Sequence, residues 1–194
     1  MGNVTASDLA HAAVLSMDLQ NGIVQNYVAE GDELLDRCAS VIDSARVRGV
    51  QVIHVHVGFR PGMPEVNARN PLFGAIKTSP EWQKLFTGAG GEFHPMVAPV
   101  NNEVVITKHR VSAFSSSDLE QVLRAAEIDT LVLFGIATSG VVLSTLVEAA
   151  DRDYRIFVIK DCCADQDAEL HDALLERYFT KRGTLISSRE FTSL

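Results

Sequence analysis

The 194-residue chain carries 25 acidic against 17 basic side chains, a formal charge of −8, and no basic block interrupts that balance. This excludes nucleic acid and an anionic membrane as the main partner and leaves small molecules or other proteins. The length suits one domain, 1–194, with a single sizeable core, and no apolar run approaches the roughly 18 residues of a membrane-spanning helix.

The start, MGNVTASDLAHAA, has no basic segment leading into an apolar one, so no secretory leader is expected. Its Met1-Gly2 pair lacks the basic patch that would support acylation. Cys38, Cys162 and Cys163 are odd in number and two are adjacent, a poor arrangement for a structural disulfide that fits a reducing cytoplasm.

Residues 12–17, AAVLSM, form a continuous apolar run that predicts a central parallel strand buried on both faces. Asp18 then stands at its carboxyl end, where open α/β sheets keep their ligands, although a cap or a pairing with a lysine is the commoner use of such a residue. Leu19-Gln20-Asn21-Gly22 reads as a turn whose amides, Gln20 above all, are placed to orient Asp18 or a ligand. A helix is expected over 31–48, with Leu34, Leu35, Cys38, Val41, Ile42 and Ala45 as its apolar stripe.

The next strand is 50–57, VQVIHVHV, with His54 and His56 on one face. Two ligands do not make a metal site, so hydrogen-bonded sheet histidines are the expectation and no metal is assigned. Residues 58–102 leave regular structure in a long stretch rich in proline and glycine, with a short helix at 79–86 opening on Pro80. Phe59, Arg60, Phe73 and Trp82 give this stretch the groups of a lid or pocket wall, with a subunit contact as the alternative.

Strand 103–107 ends at Lys108, much as the first strand ends at Asp18, and a helix follows over 118–127. Residues 130–151, TLVLFGIATSGVVLSTLVEAAD, read as strand, tight turn and helix, an arrangement that aims backbone N–H groups into the crevice at the sheet's carboxyl end. That turn is suited to an anion or a developing oxyanion, yet it offers no cysteine. A strand at 155–160, a helix at 165–182 and a last strand at 184–187 complete the chain. Strand ends of a parallel sheet converge, so Asp18, Lys108 and the turn are expected to share one site. There the lysine would favour the charged carboxylate.

VLSMDLQNG around Asp18, VVITKHRVSAFSSSDL around Lys108 and LVLFGIATSGVVLSTLVEAADRDYRIFVIKDCCAD, in this order and spacing, resemble the isochorismatase-like hydrolase family across nearly the whole chain. The resemblance implies a three-layer α/β/α sandwich with a mostly parallel six-stranded sheet, Asp18 as general acid/base and Lys108 as its charged partner. It also implies a cis peptide at Ile136-Ala137 that turns backbone N–H groups toward an oxyanion. In the amidase members the seventh position of the Gly135 turn holds a nucleophilic cysteine; here it is Val141, so the thioester route is closed. Isochorismatases also lack that cysteine and hydrolyse with Asp and Lys alone. The Asp-x-His pattern of the metal-binding members has no counterpart after the second strand.

The reading that follows is a cytoplasmic, cofactor-free hydrolase of a small anionic or carbonyl-bearing molecule, assembled as a homodimer or homotetramer. Gln20, Phe59, Arg60, Phe73, Trp82 and Phe114 would contact substrate, with Arg60 drawing in a carboxylate. The alternative is a non-catalytic binding or assembly protein that kept the fold.

Overall fold

A computed structural model describes residues 5–29 and 32–194. Six strands form one sheet: β1 (Ala12–Met17), β2 (Gln51–Val57), β3 (Val104–Lys108), β4 (Thr130–Ile136), β5 (Arg155–Ala164) and β6 (Thr184–Ile186). Their order is β3-β2-β1-β4-β5-β6, and the pairings between these strands are parallel, as expected. Every residue of β1 and β4 is buried. Continuous apolar runs such as AAVLSM suit that position, because a central parallel strand is covered on both faces.

The flanking helices are α1 (Asn21–Tyr27), α2 (Leu34–Val47), α3 (Pro71–Thr78), α4 (Pro80–Gln83), α5 (Gly88–Gly91), α6 (Leu119–Ala125), α7 (Leu143–Ala150), α8 (Ala168–Ala173) and α9 (Ser188–Thr192). Helix α2 buries Leu34, Leu35, Cys38, Val41, Ile42 and Ala45 and packs on β1, β2 and β5 beside α9. Its stripe is the one expected, but it begins at Leu34. Gly31, the expected start, and the Met1-Gly2 pair lie outside the described residues.

Four expectations change. The turn expected over 19–22 leads at once into α1. The stretch 58–102 contains α3 as well as the helix at Pro80, and each opens on a proline preceded by a capping side chain. Asn70 Oδ1 accepts from Phe73 N–H at 2.9 Å and Ser79 Oγ from Trp82 N–H at 3.4 Å. Strand β5 runs on through both cysteines to Ala164, because a bulge shifts its register on β4 from Leu133↔Val158 to Gly135↔Cys163. The single helix expected over 165–182 is α8 followed by a wide π turn at Leu174–Tyr178 and a tight 3-10 turn at Phe179–Lys181.

The strand order reverses between β1 and β4, whose neighbours leave in opposite directions. At such a switch point the loops part and open a crevice at the carboxyl ends of the strands. Asp18 follows β1 and the turn from Ala137 follows β4, so both flank that crevice.

Candidate active site

Asp18 leaves β1 with φ +57°, a left-handed conformation that Asp tolerates better than most residues. Its N–H donates to the Val55 carbonyl at 2.8 Å, which holds the turn against β2. Lys108 ends β3, two strands away, and reaches across the end of β2 so that Nζ lies 2.8 Å from Asp18 Oδ2. The ammonium also donates to the Arg110 carbonyl at 3.1 Å. Both side chains are buried, and Asp18 Oδ1 has no hydrogen-bond partner among the described protein groups.

Burial raises the Asp18 carboxyl above its ordinary value, and the charge and hydrogen bond of Lys108 only partly pull it back. The expectation that the lysine dominates is thereby corrected. In so dry a position desolvation outweighs the one neighbouring cation, and the carboxyl is poised to take up a proton.

Gly135 opens the turn after β4. Its φ is +143°, and a Cβ there would lie 2.0 Å from the Met17 carbonyl oxygen, so close approach and conformation both require glycine. The Ile136-Ala137 peptide is cis. Beyond it the backbone folds into a π turn, Thr138–Val142. Ser139 N–H donates to Asp165 Oδ2 at 2.7 Å, and Gly140 and Val142 N–H donate to the Ala137 carbonyl. Thr138 Oγ1 donates to the Ala164 carbonyl at 3.2 Å and lies 2.8 Å from His171 Nδ1. Three N–H groups expected to face a ligand are therefore engaged within the protein. Asp165, just beyond β5, pins this turn.

Asp18, Lys108, Ile136, Ala137 and Val141 lie together on the lining of a cavity of about 390 Å³. Ile23, Asn26 and Tyr27 of α1 form part of the wall, and Leu72, Phe73 and Ile76 of α3, with Trp82, Leu85 and Phe86, form another part. Of the expected substrate contacts, Phe73 and Trp82 are here. Gln20, Phe59, Arg60 and Phe114 are not.

Gln20 lies buried as a strut: Nε2 donates to the Val57 and Gly91 carbonyls at 3.1 and 2.9 Å, and Oε1 accepts from Val57 N–H. Phe59 packs against Phe73, Phe86 and His109, behind the wall. Arg60 pairs with Glu65 at 2.7 Å, and Phe114 lies against Tyr154 under the Arg152 guanidinium. A loop's sequence does not state which way its side chains turn. Sequence reasoning misses the α1 residues, although Ile23, Asn26 and Tyr27 recur at i, i+3 and i+4 directly after Asp18 and carry a helical signal.

His54 Nε2 lies 2.9 Å from Glu103 Oε2, and His56 Nε2 lies 2.7 Å from Thr107 Oγ1. Among the described residues no group of three or more His, Cys, Asp or Glu side chains is placed to hold a metal ion. Cys38, Cys162 and Cys163 are free and buried, and none lines the cavity. Hydrogen bonding to Cys38 and burial push the Cys162 thiol up, and burial does the same to Cys163. Neither is available as a thiolate nucleophile.

The sequence matches the Isochorismatase domain family over residues 12–190. The chain belongs to the isochorismatase family. It is 27% identical over 191 residues to the maleamate amidohydrolase of Pseudomonas putida, covering 92% of this chain and 84% of that one. To the ureidoacrylate amidohydrolase of Azorhizobium caulinodans it is 30% identical, covering 77% and 74%. A solved isochorismatase-family structure from Burkholderia thailandensis superposes with a TM-score of 0.81 at 29% identity, covering 94% of each chain. This isochorismatase-family chain thus stands among hydrolases of small molecules. No helix of the described residues is long and apolar enough to cross a membrane.

Proposed function

We propose that the chain hydrolyses a small carbonyl-bearing molecule without a covalent enzyme intermediate, with Asp18 as acid/base and Lys108 as its charged partner. The observation that carries this reading is the Asp18 carboxylate itself: one oxygen is held by Lys108 at 2.8 Å, while the other, buried on the cavity lining beside Val141, is left without a partner.

In this mechanism Asp18 Oδ1 accepts a proton from water as the water oxygen bonds to the substrate's carbonyl carbon. Negative charge gathers on the carbonyl oxygen, where the Lys108 ammonium and the backbone at Ile136 and Ala137 lower its cost. When the intermediate collapses, Asp18 returns the proton to the departing atom. One water is consumed, and the bond to the leaving group is replaced by a bond to hydroxyl. Val141 brings no group able to attack a carbonyl, so water is the nucleophile.

Purified protein and its Asp18→Asn variant are to be assayed on a panel of small amides, ureas and enol ethers. Asp18→Asn is expected to lower turnover by about 10²–10⁴-fold, the contribution of a positioned acid/base, with an unchanged far-UV spectrum. Wild-type turnover is expected to survive iodoacetamide, since no thiol is required. Equal rates for the two proteins on every hydrolysed compound would defeat the reading and favour a binding protein that retained the fold.

A further inference from the structure

We infer that the cavity selects an uncharged, largely apolar substrate bearing hydrogen-bond donors, and rejects carboxylates. The inference rests on the reading of the Asp18 cavity as the substrate site and adds the class of molecule that enters it. Its first support is the lining: Leu72, Phe73, Ile76, Trp82, Leu85 and Phe86 present apolar surface, and among the described residues Lys108 is the one cation there. That cation is already paired with Asp18 at 2.8 Å.

The second support is where the neighbouring cations point. Arg60 pairs with Glu65. Arg110 donates to the Glu65 and His109 carbonyls. Lys77, on the same helix as Leu72 and Phe73, donates to the Met63 and Val66 carbonyls, both at 2.9 Å. Three basic groups from the segments that wall the cavity are thus tied to carbonyls or a carboxylate, and none lines it. A carboxylate brought inside would lose its water, gain no free cation and lie near the Asp18 charge, which opposes binding.

The third support is the polarity of the remaining groups. Asn26 Nδ2 donates to the Gly22 carbonyl at 2.8 Å, and Gln166 Nε2 donates to the Asn26 carbonyl at 3.1 Å. Each NH₂ keeps a second N–H, and both residues are exposed members of the lining, so these two amides offer donor and acceptor alike. Asp18 Oδ1, buried and unpartnered, is an acceptor only. A buried, unpartnered acceptor in an apolar hollow suits a neutral molecule that carries an N–H or O–H.

The test is calorimetric titration of the wild-type protein with matched probes: cinnamamide against cinnamate, and maleamate as a second anion. Cinnamamide is expected to bind at least about tenfold more tightly than either anion. Leu72→Arg, a change at an exposed edge of the cavity, is expected to raise cinnamate affinity about tenfold. Equal or tighter binding of cinnamate or maleamate by the wild type overturns the inference. So does failure of cinnamamide to bind, or a Leu72→Arg variant whose cinnamate affinity is unmoved. Turnover is read separately: equal cinnamamide hydrolysis by wild type and Asp18→Asn would defeat the catalytic reading and leave the binding preference standing.

Discussion

Asp18 is held by opposing effects that one substitution separates. Burial raises its carboxyl, and the Lys108 charge and hydrogen bond lower it. If Asp18 works as a base, activity is present above its pKa and is lost as pH falls through it. Lys108→Met keeps the bulk of the side chain and removes the cation, leaving desolvation unopposed. The acid limb of the kcat/KM profile is then expected to move to higher pH, alongside a fall in the maximum rate. A pH-rate profile checks this, and an unmoved limb would show that the lysine does not set the protonation of Asp18. Both residues were legible in the sequence because each ends a strand, and strand ends in a parallel sheet converge. Arg60 was not: its guanidinium is turned away by Glu65, a partner five residues on that no periodicity reveals.

At the level of elements, β4 and the turn after it depend on one glycine. A Cβ at Gly135 meets the Met17 carbonyl oxygen at 2.0 Å, and backbone on both sides is fixed by the pairing of Met17 with Gly135. Gly135→Ala is therefore expected to cost on the order of 3 kcal/mol or more, combining a forced conformation with a backbone clash. For a chain of this size that lowers Tm by roughly 10 °C. Gly49 supplies the control: its φ is +71°, but a Cβ added there would have no atom within 4 Å, so Gly49→Ala meets only the conformational cost, about 1 kcal/mol. Thermal melts of both variants separate clash from conformation, and equal losses would refute the close-approach account. The apolar runs of β1 and β4 made the central strands readable. The continuation of β5 through Cys162 and Cys163 was not readable, because a bulge is set by the partner strand and leaves no period of its own. Helix α1 was missed for another reason: its i, i+3, i+4 recurrence at Ile23, Asn26 and Tyr27 is a signal, but seven residues repeat it for barely two turns.

Across the whole molecule, one polar cluster joins elements that apolar packing alone would leave free to slide. Glu103 accepts from Arg46 of α2 through Nε at 2.8 Å and Nη2 at 2.9 Å, from the Val100 N–H at 2.9 Å, and from His54 of β2 at 2.9 Å. Burial alone would raise the Glu103 carboxyl, but the donors outweigh it and hold it at about 2, below its ordinary 4.5. Such a group is an ionised acceptor, so His54 carries its proton on Nε2, and burial holds the ring's own pKa below the ordinary 6.5. Both shifts have the same sign for stability. The unfolded chain takes up protons first, at His54 as pH falls below 6.5 and at Glu103 below 4.5, so stability is present at neutral pH and is lost on acidification. The Glu103 share is fully present above 4.5 and gone as pH passes about 2. Glu103→Gln is expected to cost about 2 kcal/mol at pH 7, because it weakens charge-assisted bonds and leaves Arg46 short of an anion. It should also flatten the fall in urea midpoint between pH 4.5 and 2, while the fall that begins near 6.5 persists and deepens, because the Glu103 charge that partly holds up the His54 pKa is gone. Neither Glu103 nor His54 lines the Asp18 cavity, so kcat at 25 °C should change little. A variant that lost turnover while keeping its urea midpoint would place this cluster in the chemistry instead of the frame.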